Sequence, residues 1–473
     1  MKKFISFILT VALVLSLNAC SNSQIKLSSD VSVNDASAGV VDINDIPNYP
    51  QQEFEIGALS SPEEISEEAY KQYRDAGFNV LVFSIHNGKS SSDDLYYLGS
   101  NRTQKSLELC KKMGLDVYIA YGNSWSTREI EGEDYFGETP FSKHNYYSEY
   151  MDIIKGVRIV DEPKKDKMIQ LADDTLINDF KKIYPDKKYM INLIPVTAVT
   201  SRDFTDYDEM LKLYGESIMS KFDNPYISVD VYPFSNSKSP ESMIVYNYNE
   251  IAKCAKKYNA ETTFILQSST GNEFLDTLSE GDMRFQAYLA IAFGADNLQY
   301  YSYSVPDEIP YDYCMLQQDR KTPSELYYYV QEVNREIQSF SSVALAYDWE
   351  QAIGIEGTVD QTFRVNAIRY DENLIDVVNF ENAKHYVDAT ATQDLVISQF
   401  KSETYGEAYM MVNFARAESD NNIISATFKD CRAVVVYGGE NYNGTPKIIN
   451  LKEDGKLNLE LKYGEGVFIT PIK

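Results

Sequence analysis

From about residue 50 to residue 304, short apolar runs alternate with longer segments of helical period. The runs are nearly continuous in apolar residues, as is typical of strands that are buried on both faces of a parallel sheet. They occupy residues 54–59, 79–85, 116–122, 156–163, 188–195, 226–234, 262–269 and 297–304. This pattern predicts eight parallel strands.

The segments between the runs carry apolar residues at the three-to-four spacing of an amphipathic helix. The first extends from Pro62 to Ala76, and Gly77 follows directly. Proline near the start and glycine just past the end are typical helix boundaries, and Gly114 and Gly294 stand in the same position for two later segments. The remaining segments are 101–113, 168–184, 206–221, 245–258, 281–293 and 324–340.

Repeated alternation of strand and helix within about three hundred residues predicts a (β/α)8 TIM barrel over residues 49–344. A doubly wound open sheet is the alternative. It would need a glycine-rich phosphate-binding turn after an early strand, and the sequence has none.

The pattern changes after residue 345, where helical periodicity is lost and alternating strands such as "FRVNAIRY" and "AYMMVNFA" follow one another. Glycine-containing turns separate them at Gly438-Gly439, Asn443-Gly444 and Gly464. Residues 345–473 are therefore predicted to form an all-β sandwich domain.

The N-terminal segment has the features of an export signal. Lys2 and Lys3 precede an apolar stretch, residues 4–17, that is too short for a stable membrane span. The stretch ends in Leu17-Asn18-Ala19-Cys20, which resembles the lipobox of bacterial lipoproteins. The resemblance implies that residues 1–19 are a signal peptide and that the sulfur of Cys20 is acylated.

Residues 20–48 are rich in Ser, Asn, Asp and Val without an apolar period, which predicts a flexible tether. We expect an exported protein, held at the outer membrane or cell surface by its lipid. An ordinary secretory signal, with Cys20 incidental, is the alternative. No other contact with a membrane is expected.

Composition narrows the range of ligands. The net charge of −27 argues against nucleic acid and anionic lipid headgroups, which bind clustered Lys and Arg, whereas a neutral sugar is unaffected by it. The cysteines beyond Cys20 are far apart and there are only three histidines, so neither a zinc site nor a disulfide framework is indicated. The 37 tyrosines suggest ring faces on which sugars stack.

In a barrel of this kind the active site lies where the strands end. The polar and aromatic residues at the predicted strand ends are His86, Asn87, Asn123, Trp125, Asp161, Glu162, Asn192, Asp230, Tyr232, Gln267, Tyr301 and Tyr303. Carboxylates with Asn, Gln, Trp and Tyr are typical of sugar handling. No metal or organic cofactor is expected.

The run "GVRIVDEP" resembles the fourth-strand motif of clan A glycoside hydrolases, which place their acid/base glutamate there. With "INLIP", "ISVDVYPF" and the closing "LKYGEGVFITP", the chain is similar to glycoside hydrolases found among lipoproteins of gut Bacteroidetes. The resemblance implies a carbohydrate substrate, with Glu162 as general acid/base. Asp161 would tune Glu162 by like-charge coupling. Alternatively, both carboxylates cap the helix that follows Pro163.

The second carboxylate is left open by the sequence. Clan A enzymes carry a nucleophilic glutamate at the end of the seventh strand, where this chain has Gln267. One hypothesis assigns the role to Asp230, as nucleophile or as base for a water molecule. In another, a loop carboxylate supplies it, namely Glu273, Asp307 or Glu308. In a third, the barrel has lost catalysis and binds glycan without cleaving it.

Smaller roles are predicted for the other residues at the strand ends. Trp125, Tyr232, Tyr301 and Tyr303 would stack on a sugar ring, and packing in the barrel wall is the alternative for each. Asn192 and Gln267 would donate hydrogen bonds to sugar hydroxyls. His86 would contact substrate. The sequence does not indicate the oligomeric state.

Overall fold

A closed ring of parallel strands forms the first part of the protein in the computed structural model. The structure describes residues 41–60, 62–83, 101–120, 148–234, 240–271, 277–305, 311–359, 379–415, 421–440 and 442–473.

Each barrel strand pairs with the next one along the chain, and β8 pairs back with β1. The strands are β1 Glu55–Ala58, β2 Val80–Val82, β3 Asp116–Ala120, β4 Ile154–Asp161, β5 Lys188–Leu193, β6 Tyr226–Asp230, β7 Glu261–Gln267 and β8 Asn297–Tyr301. Each overlaps a predicted run, so the barrel is confirmed. Several strands end before the predicted run does. Val231 and Phe234, for example, are buried although they lie beyond the end of β6, and their apolar character lengthens the predicted run.

The described helices follow the predicted segments with one clear difference. They are α1 Glu67–Asp75, α2 Asn101–Met113, α3 Lys165–Leu171, α4 Asp174–Ile183, α5 Tyr207–Ser217, α6 Pro240–Tyr258, α7 Glu280–Ala292, α8 Glu325–Gln338 and α9 Ser341–Ala344. The prediction of one helix over 168–184 is wrong. Asp173 accepts hydrogen bonds from the backbone N–H groups of Thr175 and Leu176, which starts a second helix there.

None of the helices in the described part of the chain combines the length and the apolar character that crossing a membrane requires.

A buried lysine closes the N-terminal end of the barrel interior. Lys188 Nζ lies 2.6 Å from Glu55 Oε2 and 2.8 Å from Glu261 Oε2, and it also donates to Asn297 Oδ1 at 3.3 Å. Burial alone would lower the pKa of Lys188, but the two carboxylates outweigh it and raise the pKa. The ammonium therefore stays charged and neutralises two acids inside the ring.

The C-terminal region consists of two antiparallel sheets, which confirms the predicted β-sandwich. One has the order β10-β13-β16 and the other the order β15-β14-β17-β12-β11-β9. The strands are β9 Asp348–Ile355, β10 Tyr386–Ala391, β11 Leu395–Ser402, β12 Gly406–Asn413, β13 Asn422–Phe428, β14 Ala433–Gly438, β15 Lys447–Asn450, β16 Lys456–Leu461 and β17 Gly466–Ile472.

The larger sheet is buried on both faces. In β12, Tyr409 and Met411 belong to the core between the two sheets, whereas Met410 and Val412 belong to the core that continues into the barrel. Because successive strand residues point to opposite faces, two buried faces explain the unbroken apolar sequence of β12. Helix α7 packs against β12 and β17 from the barrel side and joins the two regions.

Replacing Lys188 with Met should destabilise the fold, because two partly buried carboxylates would lose their counter-ion. We expect the free energy of unfolding to fall by roughly 3 kcal/mol in urea titrations. Lys71→Met is the matched control, since Lys71 and Asp75 form an exposed ion pair on α1 worth less than about 1 kcal/mol. Equal losses for the two variants would contradict the stabilising role of Lys188.

Candidate active site at the barrel mouth

One amide joins two carboxylates at the C-terminal ends of the strands on either side of its own. The Nδ2 group of Asn192, on β5, donates to Asp161 Oδ1 on β4 at 3.0 Å and to Asp230 Oδ1 on β6 at 2.7 Å. Ser228 Oγ donates to Asn192 Oδ1 at 3.2 Å, which fixes the orientation of the amide. Asp161, Asn192 and Asp230 therefore form one hydrogen-bonded row across three strands.

The row limits how far apart the two acids lie. Both contacts end on the same nitrogen, so the two Oδ1 atoms are at most about 5.7 Å apart, the sum of 3.0 and 2.7 Å. Retaining glycosidases separate their carboxyl groups by ~5–5.5 Å and inverting ones by ~6.5–9.5 Å. The spacing between Asp161 and Asp230 is thus close to the shorter of these two separations.

Glu162 follows β4 in an unusual backbone conformation. Its φ of 42° lies in the left-handed region, which is uncommon for a residue with a side chain and is often found at functional sites. Its N–H donates to the carbonyl oxygen of Asn192 at 3.0 Å. Its side chain is 17% exposed, and its carboxylate forms an ion pair with Arg202.

Neither acid of the "VDEP" motif caps helix α3. The residue at the cap position is Lys164, and no side-chain cap hydrogen bond is present there. The alternative that Asp161 and Glu162 serve only to start this helix is therefore not what the structure shows. Both point to the site instead, one through Asn192 and the other through Arg202.

Burial and mutual repulsion keep protons on this cluster. Asp230 is almost completely buried, and its pKa is raised well above the usual range, first by burial and then by the charges of Glu162 and Asp161. The pKa of Glu162 is raised by burial and by the charge of Asp161, while Arg202 acts in the opposite direction. Such a cluster retains a proton at a pH where ordinary carboxyls are ionised.

Two of the predicted aromatic residues come together near these acids. The rings of Tyr232 and Tyr301 stack with centroids 5.5 Å apart and an interplanar angle of 23°, and Tyr311 meets Tyr301 edge-on at 6.1 Å. Tyr232 is half-buried and follows Asp230 by two residues. Stacked, partly accessible rings beside a polar cluster are a surface on which a sugar ring can pack.

Tyr303 is not part of this surface, contrary to the prediction. It is completely buried, packs edge-on against Tyr73 of α1 at 5.0 Å, and donates through its hydroxyl to Gln72 at 3.3 Å. The strand ends at Tyr301, so the two-residue period that would place Tyr303 beside it no longer applies. Tyr303 belongs to the wall between barrel and helix.

Gln267 also differs from its predicted role. Its side chain is completely buried, and its amide accepts from the N–H of Phe234 and donates to the carbonyl of Phe234, both at 2.9 Å. These bonds tie the end of β7 to the chain beyond β6. The side chain therefore holds the backbone at the mouth and does not extend into it.

Several predicted residues lie outside the described residues: Cys20, His86, Asn87, Asn123, Trp125, Glu273, Asp307 and Glu308. A hydrolytic role for a loop carboxylate thus stays a hypothesis. Conversely, Arg202 was missed by the sequence analysis. It ends a short 3-10 helix, Val196–Arg202, that follows β5, and so lies beyond the strand ends at which the sequence predicts active-site residues.

Within the described ranges, no group of three or more His, Cys, Asp or Glu side chains is arranged so that it could hold a metal ion.

The strand order and the row of acids define a (β/α)8-barrel protein with a carboxylate cluster at the barrel mouth. Comparison of the sequence with protein-family models and with curated proteins found no match. The solved structures that resemble the chain include a family 39 glycoside hydrolase from Bacteroides cellulosilyticus WH2, with 13% identity and a TM-score of 0.49, covering 90% of this chain and 83% of that one.

Two further similar structures are also glycoside hydrolases. A family 5 glycoside hydrolase from Bacteroides vulgatus ATCC 8482 is 11% identical with a TM-score of 0.47, covering 88% of this chain and 89% of its own. A family 30 endoxylanase from Clostridium papyrosolvens C71 is 10% identical with a TM-score of 0.42, covering 90% and 98%. At these identities none of the matches assigns an activity to this chain.

Asp230→Asn should stabilise the protein at neutral pH. An unfolded aspartate ionises near pH ~3.9, whereas folded Asp230 keeps its proton well above that value, so the wild type loses stability as the pH rises through this window. Asparagine carries no charge and can still accept from Asn192. We expect the variant to be clearly more stable than the wild type at pH 7 and to gain much less at pH 4.

Thermal unfolding of both proteins between pH 4 and pH 8 measures this difference. Exposed Asp388→Asn is the control, and its melting temperature should follow that of the wild type throughout. A destabilised Asp230→Asn protein at pH 7 would show that burial does not disfavour this carboxylate.

Proposed function

We propose that the protein is a glycoside hydrolase that cleaves O-glycosidic bonds in a poly- or oligosaccharide, with Glu162 as general acid/base and Asp230 as the second carboxyl. One observation carries the proposal. Carboxyls from β4 and β6 meet at the mouth of a closed barrel, joined through Asn192, and the pKa values of Glu162 and Asp230 are raised. The substrate class implied is carbohydrate.

The reaction needs one acid that carries a proton and one that does not. Glu162 is the more exposed of the two and is suited to protonate the glycosidic oxygen as the C1–O bond breaks. A proton on Glu162 removes one of the charges that raise the pKa of Asp230 and so favours ionisation of Asp230, against the burial and the Asp161 charge that oppose it. As a carboxylate, Asp230 then attacks the anomeric carbon or deprotonates a water molecule that does so.

The stacked pair Tyr232 and Tyr301 supports the proposal from the binding side. Sugar rings present C–H groups on their faces, and these pack well against aromatic faces. Tyr232 follows Asp230 directly after Val231, so a ring placed on Tyr232 lies close to the reacting carboxyls.

A glycan-binding protein without catalysis is the second candidate. Gln267 favours it, because a glutamine stands where clan A enzymes carry the nucleophile, and its amide is committed to the backbone of Phe234. A glycan-binding protein without catalysis would also have tyrosines at the barrel mouth. The glycan-binding hypothesis differs from the hydrolase hypothesis because it gives the proton of Glu162 no role.

Glu162→Gln tests the two candidates directly. The purified protein is assayed against aryl glycosides and against plant and host polysaccharides. We expect the variant to lose about 100-fold or more in kcat, because glutamine cannot transfer a proton. Glu325→Gln, at an exposed position at the start of α8, is the matched control and should retain full activity. Glycan binding by both proteins without product from either would support the second candidate.

We also propose that the protein acts at the cell surface, anchored by lipid at Cys20. The lipobox-like Leu17-Asn18-Ala19-Cys20 motif supports this. Cys20→Ala should abolish incorporation of a labelled fatty acid and move the protein from the membrane fraction to the soluble exported fraction. A wild-type protein that is exported but not labelled would contradict the anchor and leave a simple secretory signal.

A further inference from the structure

The Glu162 carboxylate is held by a cation from a different element. Arg202 reaches it from the end of the 3-10 helix Val196–Arg202, which follows the neighbouring strand β5. The side chains are about 28% and 17% exposed, so the ion pair is partly shielded from solvent. Pairs of this kind affect proton affinity more than exposed surface pairs do.

The charges around Glu162 are otherwise unfavourable. Asp161 faces it from β4 and Asp230 from β6, and both repel its carboxylate. Lys164, two residues along the chain, lies 3.3 Å from Asp203 in a separate ion pair. Among the described residues, Arg202 is the cation in ion-pair contact with Glu162.

One donor of the Arg202 guanidinium, the Nε group, is unusual. Its Nε is buried and has no hydrogen-bond partner within the described part of the chain. Buried donors without a partner are uncommon in folded proteins and call for an explanation. A side chain used only to brace the loop would be expected to satisfy this group.

We propose that Arg202 is a positioning residue of the hydrolase: it holds the Glu162 carboxyl at the barrel mouth and stabilises its charged form after the proton has been given to the leaving oxygen. This inference rests on the proposed function. Burial and Asp161 alone would bind the proton so tightly that its release became slow, and an acid works best when its pKa lies near the operating pH. Arg202 offsets them and sets the upper pH limit of activity.

Arg202→Met tests the inference, because methionine keeps most of the side-chain volume and removes the charge. We expect the alkaline limb of the kcat/KM profile to move up by about one pH unit and kcat at the optimum to fall about tenfold. Arg202→Lys should return the limb part of the way to the wild-type position. Arg74→Met, which removes an exposed arginine bonded to the Met113 carbonyl, should leave the profile unchanged.

A second measurement does not depend on activity. In protein with 13C-labelled glutamate carboxyls, the Glu162 signal is assigned from its absence in Glu162→Gln, and its titration is followed by NMR. The midpoint should rise by about one pH unit in Arg202→Met. An unchanged midpoint, or a shift of the acid limb in place of the alkaline limb, would overturn the inference. Wild-type protein that cleaves no glycan would overturn the proposed function, whatever the midpoint does.

Discussion

The hydrogen bonds from one amide nitrogen of Asn192 to Asp161 and Asp230 are the constraint on which the site depends. They bring acids from β4 and β6 to the same point at the top of the barrel. Neither strand pairs with the other, and Asn192 on the strand between them links their side chains. Glu162 joins the group through its backbone bond to Asn192, and its pKa is raised by burial and by Asp161 and lowered by Arg202.

The two ends of the barrel treat buried acids in opposite ways. At the N-terminal end Lys188 contacts Glu55 and Glu261 and compensates their charge. At the mouth, in the residues described, Arg202 pairs with Glu162, whereas burial and the neighbouring carboxyls raise the pKa of Asp230. The contacts of Lys188 stabilise the fold. The carboxyls at the mouth repel one another, and perturbed pKa values of this kind are common at sites of proton transfer.

The rest of the chain provides the rigidity that such a cluster needs. The larger sheet of the sandwich is buried on both faces, and helix α7 is packed between it and the barrel. On α7, Arg284 forms a fully buried bidentate pair with Glu336 of α8, at 2.9 and 3.0 Å. Carboxyls that repel one another keep their positions only when the surrounding structure fixes their backbone.

The sequence by itself determined the number and order of the barrel strands, because apolar runs and helical periods report burial directly. It also identified Asp161, Glu162, Asn192 and Asp230, since residues at the ends of parallel strands share one edge of a barrel. Tertiary structure alone decided which neighbours these residues have. Tyr301 and Tyr303 have the same spacing as strand neighbours, yet the strand ends between them and only Tyr301 faces the mouth. The burial of Gln267 and the pairing of Arg202 with Glu162 arise from contacts between distant segments, and no local pattern encodes them.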